Sequence, residues 1–278
     1  MTTALEPAKF ALQSVTKEFI RERGKRVLKT IALDGLSFSI KAGKFVCLLG
    51  PSGCGKSTAL QMMAGLETAS SGDVLYEGVP VQGPDPRRPY VFQRFVLFPW
   101  LTAAENVGFG LRFKGIAGTQ ARDIVLQRIE QVGLRGFEDH YPSELSGGMQ
   151  QRVALARALA ISPDVFLMDE PFGALDSQTR ERMQEQLITL WLETDLHSRT
   201  IVFVTHDIRE SVLLGDSIVL FTARPGRVKC ELPVNLPRPR NPFHPEFVLL
   251  EKQVADLIKD EVRNAERLER EGLRSHES

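Results

Sequence analysis

The chain has 278 residues, 42% hydrophobic and 25% charged, enough to bury the core of one large α/β domain or of one domain with a subdomain. Lys plus Arg equals Asp plus Glu at 35 each, a balance that disfavours a general nucleic-acid binder, which carries a basic excess. No apolar run is long enough to cross a bilayer, and the first residues lack the basic start and apolar stretch of a secretory signal. The three scattered cysteines, Cys47, Cys54 and Cys230, suit neither a disulfide framework nor a zinc cluster, so a cytoplasmic chain with reduced thiols is expected.

Alternation of apolar and polar residues over 10–15 and 36–40 predicts two half-buried strands. The charged stretch between them, residues 17–29, reads as a solvated hairpin loop rather than a binding patch. The apolar run 45–49 predicts a strand buried on both faces, followed by a glycine-rich turn and a helix over residues 56–64. From about residue 94 to 161 the pattern is mainly helical. Thr102 to Glu105 has the form of a capping box, and 124–132 carries a helical period that ends at Gly133.

Strand and helix then alternate: strand 165–168, helix 178–193, strand 200–204, helix 207–214 and strand 217–221. A Pro225-Gly226 turn leads into 227–232. This alternation implies a largely parallel sheet interrupted by a helical insert. From about Val234 the tail begins Pro-rich and extended, then turns helical with Leu250, Val254, Leu257, Ile258 and Val262 on one face. Residues 261–271 are so charged that a solvated or frayed helix end is expected.

The turn after the first buried strand runs Gly50, Pro51, Ser52, Gly53, Cys54, Gly55, Lys56, Ser57, Thr58 and matches G-x-x-x-x-G-K-[ST], the P-loop. Glycines let consecutive N–H groups point inward at phosphate oxygens, and the following helix adds the positive end of its dipole. Lys56 can reach the β- and γ-phosphates, and the Ser57 hydroxyl can ligate Mg²⁺. A second apolar strand ends in Asp169 and Glu170. In a parallel sheet ligands bind where strands end, so Asp169 is expected to hold Mg²⁺, directly or through water, and Glu170 to act as general base on the attacking water.

The segment Leu145-Ser146-Gly147-Gly148-Met149-Gln150-Gln151-Arg152 closely resembles the signature motif of ATP-binding-cassette proteins. It repeats the cradle logic, with Ser146 capping a helix and Gly147 and Gly148 exposing backbone N–H groups to an anion. The resemblance spans about residues 8–232 and brings further elements in order. Gln93 is similar to the Q-loop glutamine, which senses Mg²⁺ and the attacking water. Residues 171–176 resemble the D-loop, ending at Asp176, with Gly173 where many relatives carry Ser. His206 resembles the switch histidine that contacts the γ-phosphate, and Phe19 stands where the family places an aromatic on adenine.

The resemblance implies an α/β P-loop NTPase core with a mainly parallel sheet, a small antiparallel β subdomain and a helical subdomain at about 94–161. Residues 1–233 would form the ATPase domain and 234–278 a C-terminal extension. It implies ATP and Mg²⁺ as ligands, the metal held by Ser57, Gln93 and Asp169. Catalysis would fall to Glu170, His206 and Gln93, and nucleotide contact to Phe19, residues 50–58, Ser146, Gly147, Gly148, Gln150 and Asp176. In this family ATP lies between the P-loop of one subunit and the signature of the other. A head-to-tail dimer, with itself or with a related ATPase, is therefore expected.

After the Q-loop come Phe95, Phe98 and the Pro99-Trp100 pair, in the region that, the resemblance implies, receives the permease's coupling helices. The Pro-Trp pair resembles the importer branch for nitrate, sulfonate, taurine and bicarbonate, as does the Pro-Arg-rich stretch after residue 227. That branch implies an integral-membrane permease, an extracytoplasmic binding protein and a peripheral position on the cytoplasmic face of the cell membrane. Nucleic acid is not an expected partner. Trp100, Phe95 and Phe98 read equally as permease contacts or as helical-subdomain core. An exporter or lipid-handling ATPase would share every catalytic residue and differ only in this coupling region. A cassette ATPase acting on DNA or the ribosome would usually carry a coiled-coil insert or a second cassette, and this chain has neither.

Overall fold

The computed structural model describes residues 8–23, 26–93, 96–173, 175–193 and 199–274. The first elements are β1 (Ala8–Arg23), β2 (Arg26–Lys41), β3 (Phe45–Leu49), α1 (Lys56–Ala64), β4 (Ser71–Tyr76), β5 (Val79–Pro80) and β6 (Tyr90–Val91). Then come α2 (Ala103–Gly108), α3 (Gly118–Gln131), α4 (Gly147–Ala160), β7 (Val165–Asp169) and α5 (Ser177–Glu193). The last are β8 (Thr200–Thr205), α6 (Ile208–Leu214), β9 (Ser217–Phe221), β10 (Val228–Pro233) and α7 (Pro245–Arg274). They fall into two compact units, Met1–Pro84 with Thr200–Ser278, and Asp85–Arg199.

In the first unit, β2, β1, β4 and β5 form an antiparallel sheet in that order. Its long hairpin corrects the loop expected over 17–29: β1 and β2 stay paired from Ala8↔Lys41 out to Arg23↔Arg26. Charge does not end a strand when the ladder continues beneath it. Glu18 and Lys29 stand near each other across the hairpin and form an ion pair at 2.7 Å, the cross-strand pairing that stabilises such a ribbon. The short strands β4 and β5 were not foreseen, because 71–76 begins with three exposed residues and shows no apolar alternation at its start.

The other sheet strands of this unit run in the order β10, β9, β3, β8. β3 lies parallel to both β8 (Phe45↔Ile201) and β9 (Val46↔Ser217), while β10 pairs antiparallel with β9. Every residue of β3 and β8 is buried. A parallel strand covered on both faces needs an unbroken apolar run, which explains the runs read from the sequence.

Helix α7 packs on α6 and buries Phe247, Val254 and Ile258. Leu250 and Leu257 are half-buried, but Val262, expected on the same face, is 38% exposed because the seam with the domain ends near Glu261. There the Glu261 carboxylate accepts the Ala223 N–H at 2.8 Å and the Lys229 ammonium at 2.8 Å. The Pro-rich stretch, expected to be extended, bends at Arg238 and Pro239, and it is also a clamp. Arg240 is buried and donates to the carbonyls of Val212 (2.8 Å), Leu213 (3.0 Å) and Gly215 (2.7 Å), which end α6. Burial, with Arg238 nearby, pulls the Arg240 guanidinium down to about 10, so it remains a cation among those carbonyls at neutral pH. Arg238 donates to the Leu214 carbonyl and to Asp216.

In the second unit, β6 pairs in parallel with β7, through Tyr90↔Leu167 and Val91↔Met168. The capping box of α2 is present: the Thr102 hydroxyl accepts the Glu105 N–H at 3.2 Å and the Glu105 carboxylate accepts the Thr102 N–H at 2.8 Å. Buried Asn106 then ties down the preceding turn, its amide donating to Phe98 O (3.2 Å), Leu101 O (2.9 Å) and Thr102 O (3.0 Å). That turn presents Trp100, 70% exposed, so its side chain is not core. Phe98 is half-buried against the rings of Trp100 and Phe109, and Phe95 lies outside the described residues. Among the described residues no helix is long and apolar enough to cross a membrane.

Candidate functional site

The residues singled out in the sequence divide between the units. Phe19, the P-loop and His206 belong to the first, and Gln93, the signature, Asp169, Glu170 and Asp176 to the second.

The P-loop leaves β3 and enters α1 through Gly55, which caps the helix with φ +99 in the left-handed region. A Cβ there would sit 2.6 Å from Leu33 Cδ2 and 2.9 Å from the Ala32 carbonyl, so conformation and space both demand glycine. No side chain caps α1, and its first turn holds no acidic residue. The helix thus directs N–H groups and the positive end of its dipole at the turn with no carboxylate competing. Lys56 is 4% exposed and donates to the carbonyls of Gly50 (2.7 Å) and Pro51 (2.8 Å). Its ammonium therefore stands within the loop, where a phosphate would meet it. Cys54 is buried beside it; burial pushes this thiol up, partly offset by the Lys56 charge.

β8 delivers His206 to the surface, exposed at the strand end. The residues around it are locked. Buried Glu210 accepts a hydrogen bond from the Thr205 hydroxyl, which in turn accepts the Asp207 N–H at 3.0 Å. The Asp207 carboxylate caps α6 by accepting the Glu210 N–H at 3.1 Å. Phe19 is half-buried on β1, and the Lys17 ammonium lies 5.1 Å from its ring centroid.

In the second unit, β7 is buried until Asp169, which is half-buried and accepts the Tyr90 hydroxyl at 2.7 Å. Glu170 follows with φ +41, a conformation uncommon outside glycine that turns the chain sharply at the strand end. The Gln93 amide donates to the Glu170 carboxylate at 3.4 Å. Gly173 closes the group: its amide donates to the Glu170 carbonyl at 3.0 Å, and a Cβ there would lie 3.5 Å from the Glu170 carboxylate. The structure thus brings Gln93, Asp169 and Glu170 together around two adjacent strand ends. It also adds Tyr90, whose sequence signal, an aromatic three residues before the glutamine, had no reading of its own.

At the signature, Ser146 and Gly147 are exposed, and the Ser146 hydroxyl accepts the Met149 N–H at 3.3 Å to cap α4. Gln150, expected beside a nucleotide, directs its amide to the carbonyls of Pro142 (2.9 Å) and Leu145 (3.1 Å) and so braces the turn. Asp176 caps α5, accepting the Thr179 N–H at 3.0 Å, and that hydrogen bond holds its carboxyl below the usual range.

Among the described residues no group of three or more His, Cys, Asp or Glu side chains forms a ready-made metal cluster. The residues expected to hold magnesium, Ser57, Gln93 and Asp169, offer hydroxyl, amide and carboxylate oxygens. That hard donor set fits an ion that keeps water and phosphate for most of its shell.

The family model for the ABC transporter matches residues 33–173. The nitrate import ATP-binding protein of Synechocystis is 41% identical over 257 residues, covering 89% of this chain and 94% of the relative. The taurine import ATP-binding protein of Yersinia pestis is 47% identical over 204 residues, covering 73% and 79%. Among solved structures, the dimeric post-hydrolysis state of an ATP-binding cassette bound to ADP and Pi is 36% identical with a TM-score of 0.70, covering 82% of this chain and 99% of that one. A complete P-loop after a buried parallel strand, a carboxylate pair ending another and a capped signature helix agree with these matches in both fold and order. The chain belongs to the ABC transporter family, as one of its ATP-hydrolysing cassettes.

Proposed function

We propose that the chain is the motor of an importer, hydrolysing ATP to drive uptake of a small anion, such as nitrate, a sulfonate, taurine or bicarbonate, through a separate permease. In this reading Lys56 and the N–H groups of residues 50–58 hold the phosphates, and the Phe19 ring stacks on adenine. Ser57, Gln93 and Asp169 hold magnesium, which when bound neutralises charge on the β- and γ-phosphates. Glu170 takes the proton of the attacking water, Gln93 orients that water, and His206 contacts the γ-phosphate. Asp176 lies in the D-loop beside them.

The γ-phosphate is gripped a second time by Ser146 of the partner subunit, with Gly147 and Gly148 exposing N–H groups there and Gln150 bracing the turn. The partner is a second copy of this chain or a related ATPase. Hydrolysis removes the charge that both sides hold, and the dimer opens. Trp100, exposed on a turn that Asn106 fixes, is the proposed contact for the permease. The ATPase domain comprises residues 1–233 and the extension 234–278. The assembly sits peripherally on the cytoplasmic face of the membrane and receives substrate from an extracytoplasmic binding protein. Its partners are proteins, not nucleic acid.

The observation that carries the motor reading is Glu170, a carboxylate held by the Gln93 amide one residue beyond Asp169. Glu170→Gln should bind ATP with unchanged affinity yet lower turnover on the order of 10²- to 10⁴-fold. It should also accumulate as an ATP-bound dimer in size-exclusion chromatography. Near-normal phosphate release by this variant would remove Glu170 from the role of base.

A further inference from the structure

We infer that Tyr90 is a positioning residue for Asp169, its phenol orienting the carboxylate that meets the magnesium ion. This rests on the proposed role of Asp169. The parallel ladder sets Tyr90 beside Leu167 and Val91 beside Met168, so the chain leaving β6 runs alongside the carboxylates that end β7. From β6 the Tyr90 hydroxyl reaches forward and donates to Asp169 Oδ2 at 2.7 Å, the short distance typical of a neutral hydroxyl meeting a charged acceptor. Three residues on, the Gln93 amide meets Glu170 at 3.4 Å. The four residues from Tyr90 to Gln93 therefore meet both carboxylates, one from β6 and one from the turn after it.

The physical consequence follows from the carboxylate's freedom. Asp169 stands at a strand end, half-buried, where rotation about its last side-chain bond would turn either oxygen toward the metal. A phenol fixed to Oδ2 restricts that rotation. The phenol is itself held, because the Tyr90 ring packs on Phe92 with centroids 4.6 Å apart. Donors that orient metal-binding carboxylates in this way commonly change metal affinity by about 10- to 100-fold when removed. The link also has a direction: a shift of the segment carrying Gln93 would move the metal carboxylate and the base together.

Tyr90→Phe keeps the ring and its packing and deletes only the donor. The measurement is Mn²⁺ binding to the ADP-loaded chain, read from the loss of the free Mn²⁺ paramagnetic resonance signal. ADP affinity in EDTA and the melting temperature are measured alongside, and Asp169→Asn is run in parallel. Tyr90→Phe should weaken Mn²⁺ binding roughly tenfold, leave ADP affinity in EDTA unchanged, and raise the Mg²⁺ concentration needed for half-maximal turnover. Asp169→Asn should weaken Mn²⁺ binding more. If Asp169→Asn weakens it and Tyr90→Phe stays within about twofold of the parent, Tyr90 has no positioning role. A fall in ADP affinity and melting temperature matching the fall in Mn²⁺ binding would reduce Tyr90 to a packing residue and overturn the inference as well. If neither substitution moves Mn²⁺ affinity, Asp169 is not the metal carboxylate, and the inference falls with that reading.

Discussion

The P-loop and the signature are both glycine-bearing turns that open onto helix N-termini, yet the chain finishes them differently. At α1 the capping position is Gly55 in the left-handed region, which has no side chain to cap the helix, and a buried lysine stands within the loop. At α4 the capping position is Ser146 in an extended conformation, and its own hydroxyl already accepts the Met149 N–H. One turn holds a buried cation on its own carbonyls, inside the loop. The other is partly satisfied by itself and lies exposed. In the proposed function the same helix electrostatics serve a primary phosphate site at one turn and, at the other, a secondary surface that completes a phosphate bound elsewhere.

Three substitutions break or sharpen that contrast. Lys56→Ala removes the cation and should lower ATP affinity about a hundredfold, as expected for losing charge-assisted hydrogen bonds, in calorimetric titration of the isolated chain. Unchanged binding would end the primary-site reading. Gly55→Ala places a methyl 2.6 Å from Leu33 Cδ2 at φ +99, so denaturant unfolding should show a loss of about 2 kcal/mol. A neutral result would mean that the loop has slack the packing does not show. Ser146→Ala should cost only about 1 kcal/mol, the value of a helix cap, and leave ATP binding by the single chain intact. In the Glu170→Gln background, however, light scattering should show fewer ATP-dependent dimers. If Ser146→Ala weakened monomer binding as much as Lys56→Ala, the two turns would not differ in kind.

Legibility differed along the chain for physical reasons. β3, β7, β8 and β9 were readable because strands covered on both faces must be unbroken apolar runs. The ends of α1 and α2 were readable because capping chemistry is local in sequence. The outer arms of the β1–β2 hairpin were not, since a ladder of backbone hydrogen bonds and the Glu18–Lys29 pair hold a stretch whose composition alone suggests a loop. The Pro-Arg tail read as extended, but it bends at Arg238 and Pro239, where packing and not composition sets the path. Its function as a clamp stayed hidden, because the carbonyls that Arg240 satisfies belong to residues 212–215, far back in the chain.

The candidate site divides in the same way. Lys56, Asp169, Glu170 and Ser146 stand at positions that motif spacing identifies, since each follows directly from a strand end or a helix start. The hydrogen bonds that orient them do not appear in spacing. Tyr90 meeting Asp169, Gln93 meeting Glu170 and Glu210 meeting Thr205 depend on strand register and on which way each chain turns. From the sequence alone came the order of the chemical groups along the chain: the glycines and lysine of the loop after β3, the serine that opens α4 and the carboxylates that end β7. Only the tertiary structure decided their orientation, because a side chain is fixed by neighbours that the fold, not the sequence interval, brings within hydrogen-bond reach.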